Sequence, residues 1–462
     1  MKQKILFIIP PSNLGYGYIN KFFWQKGLLH IATYLHNNIG KKYDVSICDG
    51  NIRSIDNCLK DLASNIYYAI GVYCLDHTKD NGILIINRAI DIGIPKIILG
   101  GPGIINSCES YSSLIVNKAS RILYCKGQGE VDILNFILDK NNNPDIIFSR
   151  ESDWDMSLYD SNENNLYFEA YRDDLINYAL NQLNDLSYPY NPITYSTLSH
   201  VGCWYRCKNG GCEFCGIPHH FFHKLNSSAF WQDFCNFRDF IKSIPQFNNY
   251  SVNSIKDWGD SINTEILENL LSNRPEYCSN VSYSCYLSCK DITKENMELL
   301  KKLNCFSVYI GVDGTSNESL SSLRKGYNIT SLRKELALLN EYNFKVEIGL
   351  IIGNKGETKK SLEKIVEFAK ELVDMFTDKI IVIQGNVLIP MPGSKLYNNL
   401  NTILKYSSNS INPLLHMSVQ DRISEWLRLN TSVTFDDCVN IQHQIEQISP
   451  RKHSYVLDSS IV

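Results

Sequence analysis

The sequence predicts an α/β protein in which a doubly wound parallel sheet is followed by a partial (βα)6 barrel. Three observations support this class. Short apolar runs alternate with helical patterns through the first 140 residues, strand-plus-helix units resume after residue 190, and glycine or polar residues follow the strands in both regions. Strands that alternate with helices form parallel sheets, and such sheets bind ligands at the carboxyl ends of their strands.

The composition argues against several classes of protein. The chain has 462 residues, a net charge of −4 and 44% hydrophobic residues, which suits a folded protein and gives no electrostatic argument for nucleic-acid binding. Its fifteen cysteines do not resemble a secreted disulfide framework. The apolar run before Pro10 is too short for a signal peptide, and no run approaches the ~20 apolar residues of a membrane span. We therefore expect a cytoplasmic protein that binds neither nucleic acid nor membrane.

Residues 1–140 are predicted to form a Rossmann-like domain. In its first helix Leu28, Ala32 and Leu35 follow helical spacing, so one face packs on the sheet. Glycine lets a flat ligand approach the backbone, although it also serves simple tight turns, and the sequence leaves both readings open. Residues 141–190 are predicted to be a linker with some helix near 173–184. The predicted strands cover residues 4–9, 43–48, 68–75, 96–100 and 121–126, and the glycine-containing turns after the last two hold Gly100, Gly101, Gly127, Gly129 and Glu130.

Four cysteines lie within thirteen residues: Cys203, Cys207, Cys212 and Cys215. Thiolates this dense select zinc or an iron–sulfur cluster. Structural zinc usually takes two well-separated cysteine pairs, so a single loop favours an iron–sulfur cluster, with zinc as the alternative. Four ligands would close the cluster and suit electron transfer, whereas three would leave one iron open to a small molecule.

The motifs around these cysteines resemble those of the radical S-adenosylmethionine (SAM) superfamily. Gly202-Cys203-Trp204 and Cys212-Glu213-Phe214-Cys215-Gly216 are similar to the branch that modifies ribosomally made peptides and carries an N-terminal cobalamin-binding domain. The eight-residue gap between Cys203 and Cys212 departs from the superfamily's usual C-x3-C-x2-C spacing. The resemblance implies that Cys203, Cys212 and Cys215 ligate a [4Fe-4S] cluster and that Phe214 lies against the adenine of SAM. The role of Cys207 stays open.

Residues 191–399 are predicted to be the partial radical SAM barrel, and residues 400–462 a helical region that caps the barrel or the substrate entrance. The resemblance places Asp260, Ser284 and Asp313 near the bound cofactor, although an Asp after a strand can equally be a helix cap. His219, His220 and His223 follow the cysteines and are interpreted as loop residues. The six predicted barrel strands cover residues 193–201, 251–257, 281–287, 306–312, 345–352 and 380–389.

The resemblance also implies cobalamin in the first domain. Gly100, Gly101, Gly127, Gly129 and Glu130 would cradle the corrin, and two further residues, Cys74 and Leu75, would lie near its nucleotide tail. The residues after the first strand contain no Asp-x-His-x-x-Gly motif, so the sequence supplies no histidine as a lower cobalt ligand.

The function expected from this resemblance is cobalamin-dependent radical SAM methylation of an unactivated carbon in a peptide or natural-product substrate, with an external one-electron reductant. One alternative is an enzyme of the same architecture that catalyses a non-methylating rearrangement, cross-link or epimerisation. The other is a non-catalytic iron–sulfur or zinc protein.

Overall fold

The computed structural model describes residues 2–12, 25–115, 120–140, 146–149, 154–158, 165–181, 193–218, 220–408 and 413–450. The chain divides into two compact units. The first comprises Met1–Tyr195 with Gln232–Val252, and the second comprises Ser196–Trp231 with Asn253–Val462. Both units are built on a six-stranded sheet.

The first unit is a parallel sheet with strand order β2-β1-β3-β4-β5-β6. The order reverses between β1 and β3, which is where open α/β sheets form a ligand crevice. All five predicted strands are present. A sixth strand lies inside the predicted linker. It was not predicted, because its three residues are too few to show a periodic pattern. The strands are β1 (Gln3–Ile9), β2 (Tyr43–Asp49), β3 (Tyr67–Tyr73), β4 (Lys96–Gly100), β5 (Arg121–Tyr124) and β6 (Ile146–Phe148).

The helices of the first unit bury their apolar faces. Leu28, Ala32 and Leu35 are fully or almost fully buried, as their spacing predicts. Part of the helix predicted near 173–184 is present, and its last residues lie outside the described part of the chain. The helices are α1 (Lys26–Ile39), α2 (Ile55–Ser64), α3 (Lys79–Asp91), α4 (Pro102–Ser112), α5 (Glu130–Ile137) and α6 (Arg172–Asn181).

The second unit is built on a sheet with strand order β14-β13-β12-β11-β10-β7. Each of the six predicted barrel strands is found. The segment predicted as one strand before Cys203 splits, because β8 turns away to pair antiparallel with β9. The strands are β7 (Tyr195–Thr197), β8 (His200–Val201), β9 (His223–Lys224), β10 (Ser254–Asp257), β11 (Ser282–Leu287), β12 (Cys305–Asp313), β13 (Lys345–Ile352) and β14 (Ile380–Val387).

The helices between these strands have the expected buried faces; Leu362, Ala369 and Leu372 of the longest helix are buried. The remaining helices are α7 (Trp204–Asn209), α8 (Ser227–Lys242), α9 (Thr264–Ser272), α10 (Lys294–Lys302), α11 (Asn317–Ser322), α12 (Ile329–Asn340), α13 (Lys359–Phe376), α14 (Lys395–Ser408), α15 (Val419–Asn430) and α16 (Phe435–Ile448). Most of α8 belongs to the first unit.

The predicted C-terminal helical region consists of most of α14 together with α15 and α16, and residues 451–462 lie outside the described part of the chain. Several hydrogen bonds attach α15 and α16 to the barrel, including one from the side chain of a tryptophan and one from a glutamine. The indole N–H of Trp426 donates to the Gly353 carbonyl at 2.8 Å, and the Gln442 amide donates to the Gly385 carbonyl at 2.7 Å. None of the described helices combines the length and apolar character needed to span a bilayer.

Candidate functional site

The cysteine loop begins at a glycine that no other residue can replace without movement. Gly202 has a φ of +85°, and a Cβ there would lie 1.9 Å from the Phe221 carbonyl oxygen. Cys203 then precedes α7, and Gly210 ends that helix in the left-handed conformation. The loop therefore leaves β8 in one fixed direction, which positions Cys203 beside the end of the sheet.

The exposure of the four thiols separates Cys207 from the others. Cys203, Cys212 and Cys215 are half-buried, whereas Cys207 is exposed on α7. Burial raises the pKa of Cys203 and of Cys212, and it raises the pKa of Cys215 to about 11. These thiols are therefore protonated at neutral pH, and binding iron must release their protons.

The donor set fits an iron–sulfur cluster better than a single metal ion. Among the described residues, no three His, Cys, Asp or Glu side chains converge as they would around one ion. A cluster binds its thiolates on different iron atoms, so it requires no such convergence. Three soft donors on one half-buried loop match the chemistry of iron–sulfur ligation.

The loop is fixed to the barrel through Glu213, which stands between two of the predicted ligands. Its N–H donates to the Leu323 carbonyl at 3.1 Å, and its carbonyl accepts from the N–H of Leu396 at 3.1 Å. Its carboxylate pairs with Arg324 at 3.3 Å and with Lys395 at 3.7 Å. Both faces of the loop are thus held by elements that follow β12 and β14.

Tyr205 closes the other end of the loop. Its hydroxyl donates to the Arg324 carbonyl at 2.7 Å, and the Lys290 ammonium lies 4.2 Å from its ring centroid. The neighbouring Trp204 is 46% exposed and contacts the ring of Phe222 edge-on. Tyr205 therefore anchors the loop, while Trp204 presents its indole to solvent.

Phe214 and Asp313 are brought together with a residue that the sequence interpretation did not assign. Asp313 ends β12 with a φ of +64°, and its carboxylate is paired with the buried ammonium of Lys325. Lys325 also lies 5.8 Å from the ring centroid of Phe214. Although burial opposes the charge of Lys325, Asp313 raises the pKa of the ammonium above its usual value. The signal available in the sequence was a basic residue shortly after a strand end.

Asp260 and Ser284 occupy different environments. The Asp260 residue is exposed as a whole, but desolvation of its carboxyl raises the pKa of that group to about 6, with the charge of Arg206 acting in the opposite direction. Ser284 is buried inside β11 and accepts a hydrogen bond from Ser307 at 3.0 Å. Ser284 therefore lies within the sheet, three residues before the carboxyl end of β11.

Asp257 was not predicted, yet it ties the elements around the site together. It is 1% exposed and accepts hydrogen bonds from the Ser199 N–H at 3.1 Å and the Gly259 N–H at 2.9 Å. The hydroxyl of Tyr283 also donates to it, at 2.6 Å.

Of the three histidines after the cysteines, His220 is exposed, His223 lies in β9, and His219 falls outside the described residues.

Three half-buried aromatic rings stand in a row across β10 to β12. Trp258 lies 5.4 Å from Tyr286, which lies 4.8 Å from Tyr309. Beside this row the ammonium of Lys256 lies 5.1 Å from the Tyr286 ring centroid and 3.5 Å from the Glu347 carboxylate on β13. The sheet therefore offers an aromatic surface bordered by a buried ion pair.

The carboxyl edge of the first unit holds the residues predicted to cradle cobalamin, and packing explains some of them. Gly101 has a φ of +96°, and a Cβ there would lie 3.0 Å from the Cys74 carbonyl oxygen. The thiol of Cys74 is fully buried in the apolar core and bonds the Val72 carbonyl at 3.4 Å. Leu75 is half-buried next to it.

One glycine of that edge, Gly100, has room for a side chain. A Cβ at Gly100 would make only an ordinary 3.6 Å contact with Cys125. Gly127 and Gly129 lie in the turn between β5 and α5, and Glu130 begins α5 with a buried carboxyl whose pKa is raised by burial. Backbone packing does not account for Gly100, so it is the better candidate for a close ligand contact.

Comparison with protein families finds a match that begins just before the cysteine loop. Residues 201–369 match the family model described as the radical SAM superfamily. The chain carries a radical SAM domain. This confirms the resemblance drawn from the cysteine motifs, and the domain begins at the strand that leads into Cys203.

The whole chain is similar in fold to two cobalamin-dependent radical SAM proteins. One is the methyltransferase TsrM from Kitasatospora setae, solved with cobalamin and a [4Fe-4S] cluster, at 14% identity and a TM-score of 0.61 over 92% of this chain and 84% of that chain. The other is OxsB with aqua-cobalamin and SAM, at 12% identity and a TM-score of 0.67 over 97% of this chain and 66% of that chain. The predicted fold class is confirmed.

TsrM has also been solved with a tryptophan substrate and a SAM analogue, at 13% identity and a TM-score of 0.64 over 97% of this chain and 89% of that chain. A sequence relative, the uncharacterized protein MJ1620 of Methanocaldococcus jannaschii, is 24% identical over 362 residues. That alignment covers 68% of this chain and 66% of the relative, so the chain spans slightly less than two thirds of that protein.

Proposed function

We propose that this protein is a cobalamin-dependent radical SAM enzyme that methylates a carbon atom of a peptide or natural-product substrate. One observation carries the proposal: the half-buried thiols of Cys203, Cys212 and Cys215 lie on one loop of a radical SAM domain, at the carboxyl edge of its barrel strands. Active groups of such barrels sit at that edge. The fold shared with TsrM and OxsB along the whole chain supports the cobalamin part.

When bound, the cluster, SAM and cobalamin supply hydrogen abstraction and methyl transfer, since such chemistry belongs to cofactors rather than side chains. The task of the chain is to hold and orient them. Cys203, Cys212 and Cys215 would hold the cluster. Phe214 would offer its ring face to the adenine, and the paired charges of Asp313 and Lys325 lie close enough to that ring to orient polar groups of SAM.

In the first unit, the edge between β1 and β3 would receive the corrin. Gly100 and the turn with Gly127 and Gly129 allow a flat ring to approach the backbone, and Leu75 offers half-buried apolar surface. The buried Glu130 lies at the start of α5 on the same edge. Because the side chain of Cys74 is fully buried, only the backbone of this residue could contact a ligand there.

The aromatic row supports an organic substrate rather than a small ion. Trp258, Tyr286 and Tyr309 present half-buried ring surface on the barrel sheet, and such surface binds flat or apolar groups.

The experiment uses the full chain, purified without oxygen and supplied with iron, sulfide, cobalamin, SAM and a one-electron reductant. 5'-Deoxyadenosine and S-adenosylhomocysteine are quantified together in the presence of candidate peptides. Formation of both supports methylation, and deoxyadenosine alone favours the non-methylating alternative. Absence of both, with an intact cluster and substrate present, would favour a non-catalytic iron–sulfur protein. Cys203→Ala serves as the inactive control and Cys207→Ala as the matched control.

A further inference from the structure

A cavity of about 450 Å³ lies within the second unit, apart from the predicted cofactor residues. It is bounded by the segment 322–324, the turn after β13, and helices α14 and α15. Glu213 contributes to its wall, whereas the described lining includes neither Phe214 nor the Asp313–Lys325 pair. Its volume falls in the range of small-ligand sites, roughly 300–1,000 Å³.

Asn354, one of the residues that line this cavity, carries a buried acceptor without a partner among the described residues. Asn354 is 1% exposed, and its amide nitrogen donates to the Ile351 carbonyl and to Glu357, both at 3.0 Å. Its Oδ1 finds no hydrogen-bond partner among the described residues. Buried polar atoms are nearly always paired, so this oxygen calls for an N–H or O–H group from an occupant.

The cavity wall is otherwise largely apolar. Leu323, Leu388, Leu396 and Trp426 contribute to it. The indole N–H of Trp426 already donates to the Gly353 carbonyl, so the ring offers only its hydrocarbon surface. A large apolar side chain therefore suits the interior, with a hydrogen-bond donor beside it.

Positive charge predominates around the opening. Arg324 and Lys355 line the cavity and are exposed, and Lys395 stands nearby on the Glu213 carboxylate. That carboxylate is shared between Arg324 and Lys395, so three cations face a single acid. Charge complementarity favours an occupant with acidic groups next to its apolar portion.

We propose that this cavity binds a peptide segment in which a large apolar side chain stands next to acidic residues. The backbone N–H of that residue would donate to Asn354 Oδ1, the apolar side chain would fill the interior, and the acidic residues would pair with Arg324 and Lys355. Occupancy would also brace the loop at Glu213, between Cys212 and Cys215. This site goes beyond the proposed catalytic function and can bind whether or not methyl transfer occurs.

The test measures the affinity of the full chain for blocked tripeptides by isothermal titration calorimetry. The probes are acetyl-Xaa-Asp-Asp-amide, with Leu, Ile, Phe or Trp as Xaa, and the charge-reversed acetyl-Xaa-Lys-Lys-amide set. We expect at least one acidic peptide to bind and its lysine counterpart to bind at least about tenfold more weakly. If no acidic peptide binds, or if charge makes no difference, the proposal fails.

Two variants then locate the binding without disturbing the buried hydrogen bonds of Asn354. Ile403 lines the cavity and is 45% exposed, so Ile403→Trp should fill the space and weaken binding at least about tenfold. Lys355→Glu should weaken the binding of the acidic peptide by a similar factor. Lys360→Glu, on the exposed start of α13, is the matched control and should leave the affinity unchanged.

Competition with adenosine tests whether the cavity takes a nucleoside rather than a peptide as its hydrogen-bond donor. If adenosine displaces the peptide, the cavity belongs to the cofactor nucleoside and the peptide assignment is wrong. Peptide binding that survives adenosine and disappears in Ile403→Trp supports the site. Because calorimetry needs no turnover, failure of the methyltransferase assay would leave this result standing.

Discussion

The two units carry sheets of similar size but use their carboxyl edges differently. In the first unit Cys48, Cys58, Cys74, Cys108, Cys125 and Cys235 are all buried, so its thiols belong to packing. In the second, Cys203, Cys212 and Cys215 remain half-buried on a loop held by glycines and ion pairs. A strand edge becomes reactive where the loop beyond it is anchored by its backbone while its side chains stay accessible.

The sharpest test of this contrast concerns the half-buried thiols. Cys203→Ala should reduce bound iron from about four atoms per chain to nearly none after anaerobic reconstitution, because a cluster held at three corners loses one of its few ligands. Cys207→Ala should retain the iron, since Cys207 is exposed on α7. Iron analysis and the visible absorbance of the cluster give the answer. The reverse pattern would move the first ligand to Cys207.

The next largest effect is expected at the buried ion pair of the second unit. Lys325→Met should lower the free energy of unfolding by about 3–5 kcal/mol, because it leaves the Asp313 carboxylate buried without its partner. The double variant with Asp313→Asn should recover most of the loss. Arg333→Met breaks the exposed pair with Glu371 and should cost at most about 1 kcal/mol. Urea unfolding of the cofactor-free chain compares them; equal losses would contradict the interpretation.

In the first unit, a buried carboxyl group is expected to make the free energy of unfolding depend on pH. Burial, with the nearby Asp174 carboxylate, raises the pKa of Asp49 to about 7. A raised carboxyl pKa means that the folded state binds the proton more tightly, so stability falls as pH rises from about 4 towards about 7. Asp49→Asn should flatten this dependence by up to about 1.4 kcal/mol per pH unit. Urea unfolding near pH 5 and near pH 7 measures it. An unchanged slope in the variant would exclude Asp49 as its source.

The smallest effects separate a packing glycine from a ligand glycine. Gly101→Ala should destabilise the chain by at least about 1 kcal/mol, because its φ of +96° and ψ of 177° are open essentially only to glycine. Gly100→Ala should change stability by less than about 0.5 kcal/mol but weaken cobalamin binding. Denaturant unfolding and a spectroscopic hydroxocobalamin titration report the two quantities. Unaltered cobalamin affinity in Gly100→Ala would remove that residue from the contact set.

The architecture could be predicted because buried parallel strands appear in the sequence as apolar runs between amphipathic helices. The barrel strands and the stripe of α13 follow directly from such periodicity. The edge strand Ile146–Phe148 could not be foreseen, since three residues carry no period. The cysteine loop was recognisable because its cysteines lie close together in sequence.

Partnerships between distant positions were harder to foresee. The pairing of Asp313 with Lys325, and the role of Asp257 between Ser199 and Tyr283, depend on how strands are arranged in space. The division of glycines into packing and accessible positions likewise required the neighbouring backbone, as Gly101 and Gly100 illustrate.

The short helix α7 explains how the loop accommodates its long gap. Six residues of α-helix advance only about 9 Å, and left-handed Gly210 and Gly211 then reverse the chain towards Cys212. The residues between Cys203 and Cys212 are thus coiled into a helix rather than extended. Because helical residues advance the chain by only about 1.5 Å each, the number of residues between Cys203 and Cys212 is a poor measure of the distance between their thiols.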